Sequence, residues 1–230
     1  MHRAFTMTRD DVTSNPSKTW ISGIIAAIAV VILLQVILAR FQQSPENRRH
    51  LQHAATGQLL IGISYLLPLV VCQVALSLGI ALLLYVFSAH KAWYKSTFGP
   101  LLRPHELENL PGAFWFLVGT LICALTMDLS VGRYAVLCLS YADPVAAWVG
   151  RSIASPQITA NTTIAGSIGC FSIALLTGYG VLGTNIMEIM VGALACTLAE
   201  AFPVGNDNLL IPIVTGASIH ILRTANKFQV

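Results

Sequence analysis

The chain alternates long apolar runs with short polar ones. The cleanest run, 20–39 (WISGIIAAIAVVILLQVILA), carries no charge and has the roughly 20 residues that a helix needs to cross the hydrocarbon layer. A basic stretch follows at 40–53 (RFQQSPENRRHLQH) and reads as a loop. The apolar run at about 55–89 is too long for one crossing at about 1.5 Å per residue, and Pro68 near its middle predicts two helices. Residues 90–111 form the longest polar segment, with aromatic side chains suited to a membrane interface. Further runs at about 112–127, 131–149, 165–182, 185–202 and 208–222 complete the pattern. The fold class they predict is all-α, a polytopic integral membrane helical bundle with about seven or eight transmembrane helices. Several runs fall short of 20 residues, which predicts tilt or partial insertion. With no internal repeat, the division is a polar N-terminal tail at 1–19 and one transmembrane domain over 20–230.

Composition turns this pattern into a class. Apolar residues make up 55% of the 230 and charged residues 10%, against about 25% charged in soluble domains; mean hydropathy is +0.71. A hydrated surface cannot be built from so few charges. The net charge of +3 comes with no basic tract interleaved with aromatics, so nucleic acid is not an expected partner. The cysteines Cys72, Cys123, Cys138, Cys170 and Cys196 stand singly in apolar runs and read as packing residues rather than a disulfide or zinc framework. The first 19 residues, with Asp10 and Asp11 and no apolar core, resemble neither a signal nor a transit peptide. The expected location is an early membrane compartment, the endoplasmic reticulum or nuclear envelope. The positive-inside rule gives conflicting answers, because Arg3, Arg9 and Lys18 before the first span and Arg40, Arg48 and Arg49 after it are all basic. The 40–53 and 150–165 segments are assigned to one, cytosolic, side.

Chemistry concentrates in the second half. Between 112 and 222 the basic residues are Arg133 and Arg151, and the acids are Asp128, Asp143, Glu188, Glu200 and Asp207. A carboxylate at mid-bilayer costs on the order of 3 kcal/mol even on lenient scales, so such residues face a protein interior, a wet cavity or a cation. In YADPVAAWVGR, Asp143, Ala147 and Gly150 share a helix face at i, i+4 and i+7, and Arg151 follows. Small residues there let a helix or ligand approach closely, and a guanidinium suits phosphate. The plainer alternative makes Asp143 the N-cap of a span beginning at Pro144. In AEAFPVGNDNLLIP, Glu200 ends one run, Pro203 and Gly205 break the chain, and Asp207 and Asn208 open the next. Such breaks bind cations and polar substrates, or form a hairpin capped by Asp207 or Asn208. Gly166 and Ser167 open a helix whose N-terminal N–H groups favour an anion; both are also ordinary packing residues. Arg48, Arg49, His50 and His53 gather where a span begins, either for a ligand or as a lipid-headgroup anchor.

Taken in order, Arg48-Arg49 with His53 and Gly57, then ADPVAAWVGR, TTIAGS and NDNLLIPI, resemble the CTP-using lipid kinases: polyprenol (dolichol), phytol and farnesol kinases and the fungal-type CTP-dependent diacylglycerol kinases. LRPHELENLPGAFWFLVG at 102–119 resembles the diacylglycerol kinase branch. The likeness extends over most of 45–222. Ala142 stands where the family has Gly, Thr162 where it has Lys, and Asn206 where it has the first Asp.

The resemblance implies transfer of the γ-phosphate of CTP to a membrane lipid hydroxyl, most directly that of diacylglycerol, with an isoprenoid alcohol as the alternative acceptor. It implies Asp143 and Asp207 as ligands of Mg²⁺ or another divalent cation. Arg48, Arg49, Arg151, Gly150, Gly166, Ser167 and Asn208 become the nucleotide- and phosphate-binding residues. Glu200 or His53 is left to take the hydroxyl proton. The same intramembrane acids would also serve a cation- or proton-coupled transporter, and Thr162 in place of lysine would suit an inactive scaffold.

Overall fold

The structure, a computed structural model, describes residues 16–227. Up to residue 15 the expected tail lies outside that range. The helices are α1 (Pro16–Arg40), α2 (Pro45–Leu66), α3 (Leu69–Ala89), α4 (Lys91–Phe98), α5 (Gly112–Thr126), α6 (Leu129–Ser152), α7 (Ile164–Leu182), α8 (Ile186–Ala201) and α9 (Asp207–Lys227), with two short 3₁₀ turns between α4 and α5. Among the described residues there is no strand, and the all-α membrane bundle expected from the sequence is what forms. The run at 55–89 divides between α2 and α3 at Pro68, and each of the other six runs lies on its own helix, which gives eight long helices. Four of these, α1, α3, α7 and α9, are long and apolar enough to cross a membrane by length and composition; α5 and α8, at 15 and 16 residues, are shorter.

The segment 40–53 departs from its expected loop. Helix α2 begins at Pro45, with Ser44 as N-cap accepting from the Asn47 N–H (3.3 Å) and proline at N1. Arg48, Arg49, His50 and His53 therefore lie on the first turns of a helix. Ser-Pro is a helix-start signal in its own right, but the polarity of these turns hid it from a hydropathy reading. Pro144 lies inside α6, which runs unbroken from Leu129 to Ser152, so Asp143 shares a helix face with Ala147 and Gly150 and the plainer N-cap alternative falls.

Helix α6 is the axis of the bundle and packs against α2, α5, α7, α8 and α9. Its contact face is built from small residues, with Ala135, Cys138, Ala142 and Ala146 buried, which lets backbones approach closely in a bilayer. Leu139 is buried on the same helix, and Tyr134 wedges between α7 and α8, where a Cβ on Gly192 would lie 2.5 Å and one on Gly178 3.1 Å from its ring. All five cysteines are buried and free. Many large apolar side chains point outward, among them Ile25, Leu78, Leu176, Met190 and Leu194. Small residues inside and bulky ones outside are what a lipid solvent favours, and the chain is a multi-pass membrane protein.

Proline at 68 leaves the Ser64 carbonyl without its helical donor. Arg133 of α6 fills that vacancy, donating Nη2 to Ser64 O (2.5 Å) and Nε to Ser64 Oγ (2.9 Å), with its guanidinium 3.6 Å from the centre of the Tyr65 ring. Arg133→Met should therefore cost about 1–3 kcal/mol, the penalty for an unpaired buried acceptor. Thermal denaturation in detergent reads it; an unchanged midpoint would show that Ser64 finds another donor.

One end of the bundle is closed by an ion cluster. Arg223 of α9 donates Nε and Nη2 to the two carboxylate oxygens of Glu188 (2.9 and 2.7 Å) and Nη1 to Asp128 (2.6 Å). This ties the C-terminal part of α9 to the starts of α8 and α6. The polar segment after α3 is held by a second cluster, in which Lys91 and Lys95 donate to Glu108 (2.7 and 2.5 Å). These two hydrogen-bonded ammonium groups hold the Glu108 carboxyl down to about 2. A lowered carboxyl favours the tethered state above the ordinary carboxylate range, and the tether is lost only as pH falls through about 2.

Candidate active site

At the opposite end from the Arg223 cluster lies a polar cavity of about 560 Å³, within the 300–1,000 Å³ usual for ligand pockets. Five chain segments build it. Helix α2 brings Glu46 and Arg49, α6 brings Asp143, Ala147, Gly150 and Arg151, the α6–α7 loop brings Gln157, Asn161 and Thr162, and the α8–α9 break brings Glu200 and Asp207. Arg103, from the turns before α5, completes the wall. Three guanidiniums thus face four carboxylates.

Each position follows from local structure. Asp143, Ala147 and Gly150 fall on the inward face of α6, as their spacing requires. At the α8–α9 break Gly205 takes φ +83, and the cap of α9 is Asn206, whose Oδ1 accepts from the Asn208 N–H (3.1 Å). Neither Asp207 nor Asn208 is the cap, so the Asp207 carboxylate is left to the cavity. The α6–α7 loop is pinned by a bridge between Gln157 and Thr163 and by Ile158 N–H donating to Thr162 O (2.8 Å). Glu106, buried between the turns, accepts from the Arg103 N–H (2.8 Å) and the Gly112 N–H (2.9 Å). That clip sets where Arg103 leaves the backbone.

Of the residues singled out in the sequence, Arg49, Asp143, Gly150, Arg151, Gly166, Glu200 and Asp207 meet in this cavity. Others go elsewhere. Arg48 donates Nη1 to Phe41 O (3.4 Å) and does not line the cavity. His53 is buried beside Phe116, ring centres 5.7 Å apart, in a neighbouring apolar cavity. Asn208 lines that apolar cavity as well and donates Nδ2 to Gly112 O (3.0 Å). Ser167 lies off the cavity wall, its hydroxyl buried without a partner.

The start of α7 corrects the expected anion site. The N–H of Ile164 donates to Pro156 O (3.0 Å), that of Ala165 to Ser155 Oγ (3.0 Å), that of Gly166 to Thr163 Oγ1 (3.1 Å) and that of Ser167 to Thr163 O (3.0 Å). No donor of this turn is left for an anion. Gly150 and Gly166 instead serve the crossing of α6 and α7: a Cβ on Gly166 would lie 2.9 Å from Ala146 O, and one on Gly150 2.9 Å from Thr163 Oγ1. Glu46 and Arg103 escaped the sequence reading, because nothing local to PENRR or LLRPH says that these segments meet α6.

Among the described residues, no group of three or more His, Cys, Asp and Glu side chains is arranged to hold a metal by itself. The cavity nonetheless suits a hard cation that shares its shell with a ligand. Asp143 has no hydrogen bond or ion pair among the described residues, and Glu200 Oε2 is buried without a partner. Magnesium typically takes one or two carboxylates and completes its shell with phosphate and water.

Arg151 pairs with Glu46 across the cavity mouth, and both side chains are about half exposed. Exposed pairs of this kind contribute about 0–1 kcal/mol, so an anionic ligand can displace Glu46. Glu46→Gln should free Arg151 and tighten binding of a polyanion about two- to fivefold at low salt, an estimate that follows from the energy of such a pair. Titration calorimetry with a nucleoside triphosphate reads it; weaker binding would show that Glu46 is itself a ligand.

The fold and this cavity define a multi-pass helical membrane protein with a cation- and carboxylate-lined chamber at one end. No family model and no solved structure matches the chain. It is similar to CTP-dependent diacylglycerol kinase 1 of Saccharomyces cerevisiae, 25% identical over 164 residues that cover 58% of this chain and 56% of that protein. It is also similar to CTP-dependent diacylglycerol kinase 1 of Schizosaccharomyces pombe, 26% identical over 148 residues, 56% of this chain and 68% of that one. The match therefore spans little more than half of the budding-yeast relative. Both relatives bear out the resemblance to CTP-using lipid kinases drawn from the four motifs.

Proposed function

We propose that the chain is a CTP-dependent lipid kinase that phosphorylates the free hydroxyl of diacylglycerol to give phosphatidate. The observation that carries this reading is the convergence of Arg49, Asp143, Arg151, Glu200 and Asp207, drawn from α2, α6 and the α8–α9 break, on one polar cavity. The two similar kinases supply the donor, CTP, and the acceptor. Phosphoryl transfer depends mainly on positioning and charge neutralisation, and the cavity offers both.

In this mechanism Arg49, Arg103 and Arg151 hold phosphate oxygens, Arg151 after release from Glu46. Asp143 and Asp207 hold a divalent cation, which when bound neutralises charge on the phosphates. The acceptor oxygen attacks the γ-phosphorus, the bond from that phosphorus to the β–γ bridging oxygen breaks, and CDP leaves. Glu200, with an unpartnered buried oxygen in the same cavity, accepts the hydroxyl proton. His53, buried beside Phe116, is the alternative candidate for that role. The membrane of the endoplasmic reticulum or nuclear envelope is the location that fits a kinase acting on diacylglycerol.

An acceptor panel tests the reading. Purified protein in mixed micelles is given γ-labelled CTP or ATP with dioleoylglycerol, dolichol or phytol, with and without Mg²⁺. Labelled phosphatidate from CTP is the expected product; label on dolichol or phytol alone would reassign the acceptor to the isoprenoid alcohols.

A further inference from the structure

The second cavity, of about 430 Å³, is apolar along most of its length. One face of α5 lines it from end to end through Gly112, Phe116, Thr120, Cys123 and Met127. At 1.5 Å per residue that face is about 22 Å long, more than the roughly 15 Å of hydrocarbon in one leaflet. Helices α1 and α3 supply apolar walls on the other sides. Arg49 and Arg103 line this cavity and the polar one alike, so the two chambers meet at those guanidiniums.

The same cavity contains a polar ladder between α1 and α2. Gln52 Nε2 donates to Gln35 Oε1 (2.6 Å), and Gln35 Nε2 donates to Thr56 Oγ1 (2.9 Å); all three side chains line the cavity. Gln35 is the one polar residue in the run 23–39. Each carboxamide has two N–H hydrogens, and these bonds use one from each, leaving one apiece for a ligand.

We propose that this cavity seats the acceptor lipid and selects a glyceride. One acyl chain runs along α5, ester carbonyls accept from the remaining amide hydrogens of Gln35 and Gln52, and the free hydroxyl lies between Arg49 and Arg103, open to the nucleotide. An isoprenoid alcohol has no carbonyl to offer those amides, and a site built to hydrogen-bond a ligand rejects one that leaves its groups unpaired. The reaction rests on the lipid-kinase reading; the seat is tested apart from it.

A diacylglycerol bearing a diazirine in one acyl chain is photolysed with the full chain in nanodiscs, and the labelled peptides are mapped. Phosphate transfer from CTP is measured in parallel. The expected label falls on 112–127 and is competed by dioleoylglycerol but not by equimolar farnesol. Thr120→Trp, which fills the middle of the cavity, should cut that label at least fivefold and raise KM for diacylglycerol with little change in KM for CTP. Gln35→Leu/Gln52→Leu, which keeps the volume, should let farnesol compete. Uncompeted label on bilayer-facing residues such as Leu176 and Leu194 would overturn the seat, and competition by farnesol in the unmodified protein would overturn the selectivity. Competed label on α5 without any phosphate transfer would uphold the seat and overturn the kinase reading.

Discussion

Asp143→Asn is expected to lower phosphate transfer from CTP by on the order of 10³-fold, the scale on which single charge-neutralising groups act in phosphoryl transfer, while leaving the protein folded. Asp143 sits on the inward face of α6, half buried, and makes no hydrogen bond or ion pair among the described residues. Its electrostatic neighbours are His50, Arg49 and Arg103. A carboxylate held without a partner inside a membrane bundle is a liability for stability, so Asn should leave the thermal midpoint unchanged or raise it. Transfer in mixed micelles and denaturation in detergent, measured on one preparation, separate the two effects. A variant that keeps full transfer would remove Asp143 from the site.

Gly57→Ala is expected to have the largest structural effect. A Cβ there would lie 1.7 Å from Ser140 Oγ and 2.5 Å from Ser140 Cβ. Ser140 is fully buried on α6, its hydroxyl donating to Val136 O (2.7 Å), so neither side chain can turn away. Helices α2 and α6 must part instead, at a cost of about 1–3 kcal/mol or more. Because α2 carries Glu46 and Arg49 and α6 carries Asp143 and Arg151, the parting opens the polar cavity as well. Activity should fall with stability, and Gly57→Ala/Ser140→Gly should restore both. Unimpaired stability of the single variant would show that the two helices have slack at this crossing.

Helices are legible in this chain where one physical rule decides them. The runs at 20–39 and 165–182 became α1 and α7 because length and hydropathy alone make a span. Pro68 separated α2 from α3 because a missing N–H and a steric clash act locally. The start of α2 was hidden because its first turns face a polar cavity, and hydropathy registers polarity without its cause. Pro144 did not break the run at 131–149, since membrane helices tolerate an interior proline when neighbours re-satisfy the backbone.

The site was legible in its chemistry and not in its partition. Five acids stand between 112 and 222, and the reasoning about buried carboxylates applies equally to all five. Asp128 and Glu188 are drawn to Arg223, a residue 95 and 35 positions away, whereas Asp143, Glu200 and Asp207 are left facing the cavity. Only the packing of α9 antiparallel to α6 and α8 sorts them. Gly166 shows the converse: its place on the cavity wall agrees with the motif, but the N–H donors around it are bonded to Pro156, Ser155 and Thr163. Arg103 lies in the 102–119 stretch that carries the diacylglycerol kinase likeness, but nothing local to it shows that it meets α6, and its place depends on the Glu106 clip.

The most direct test of the central claim is a stoichiometry. Purified chain in mixed micelles is given CTP labelled in the γ-phosphate, dioleoylglycerol and Mg²⁺, and CDP and phosphatidate are counted. The account predicts equal amounts of the two, with the label on phosphatidate. Folded protein that releases neither product would contradict it.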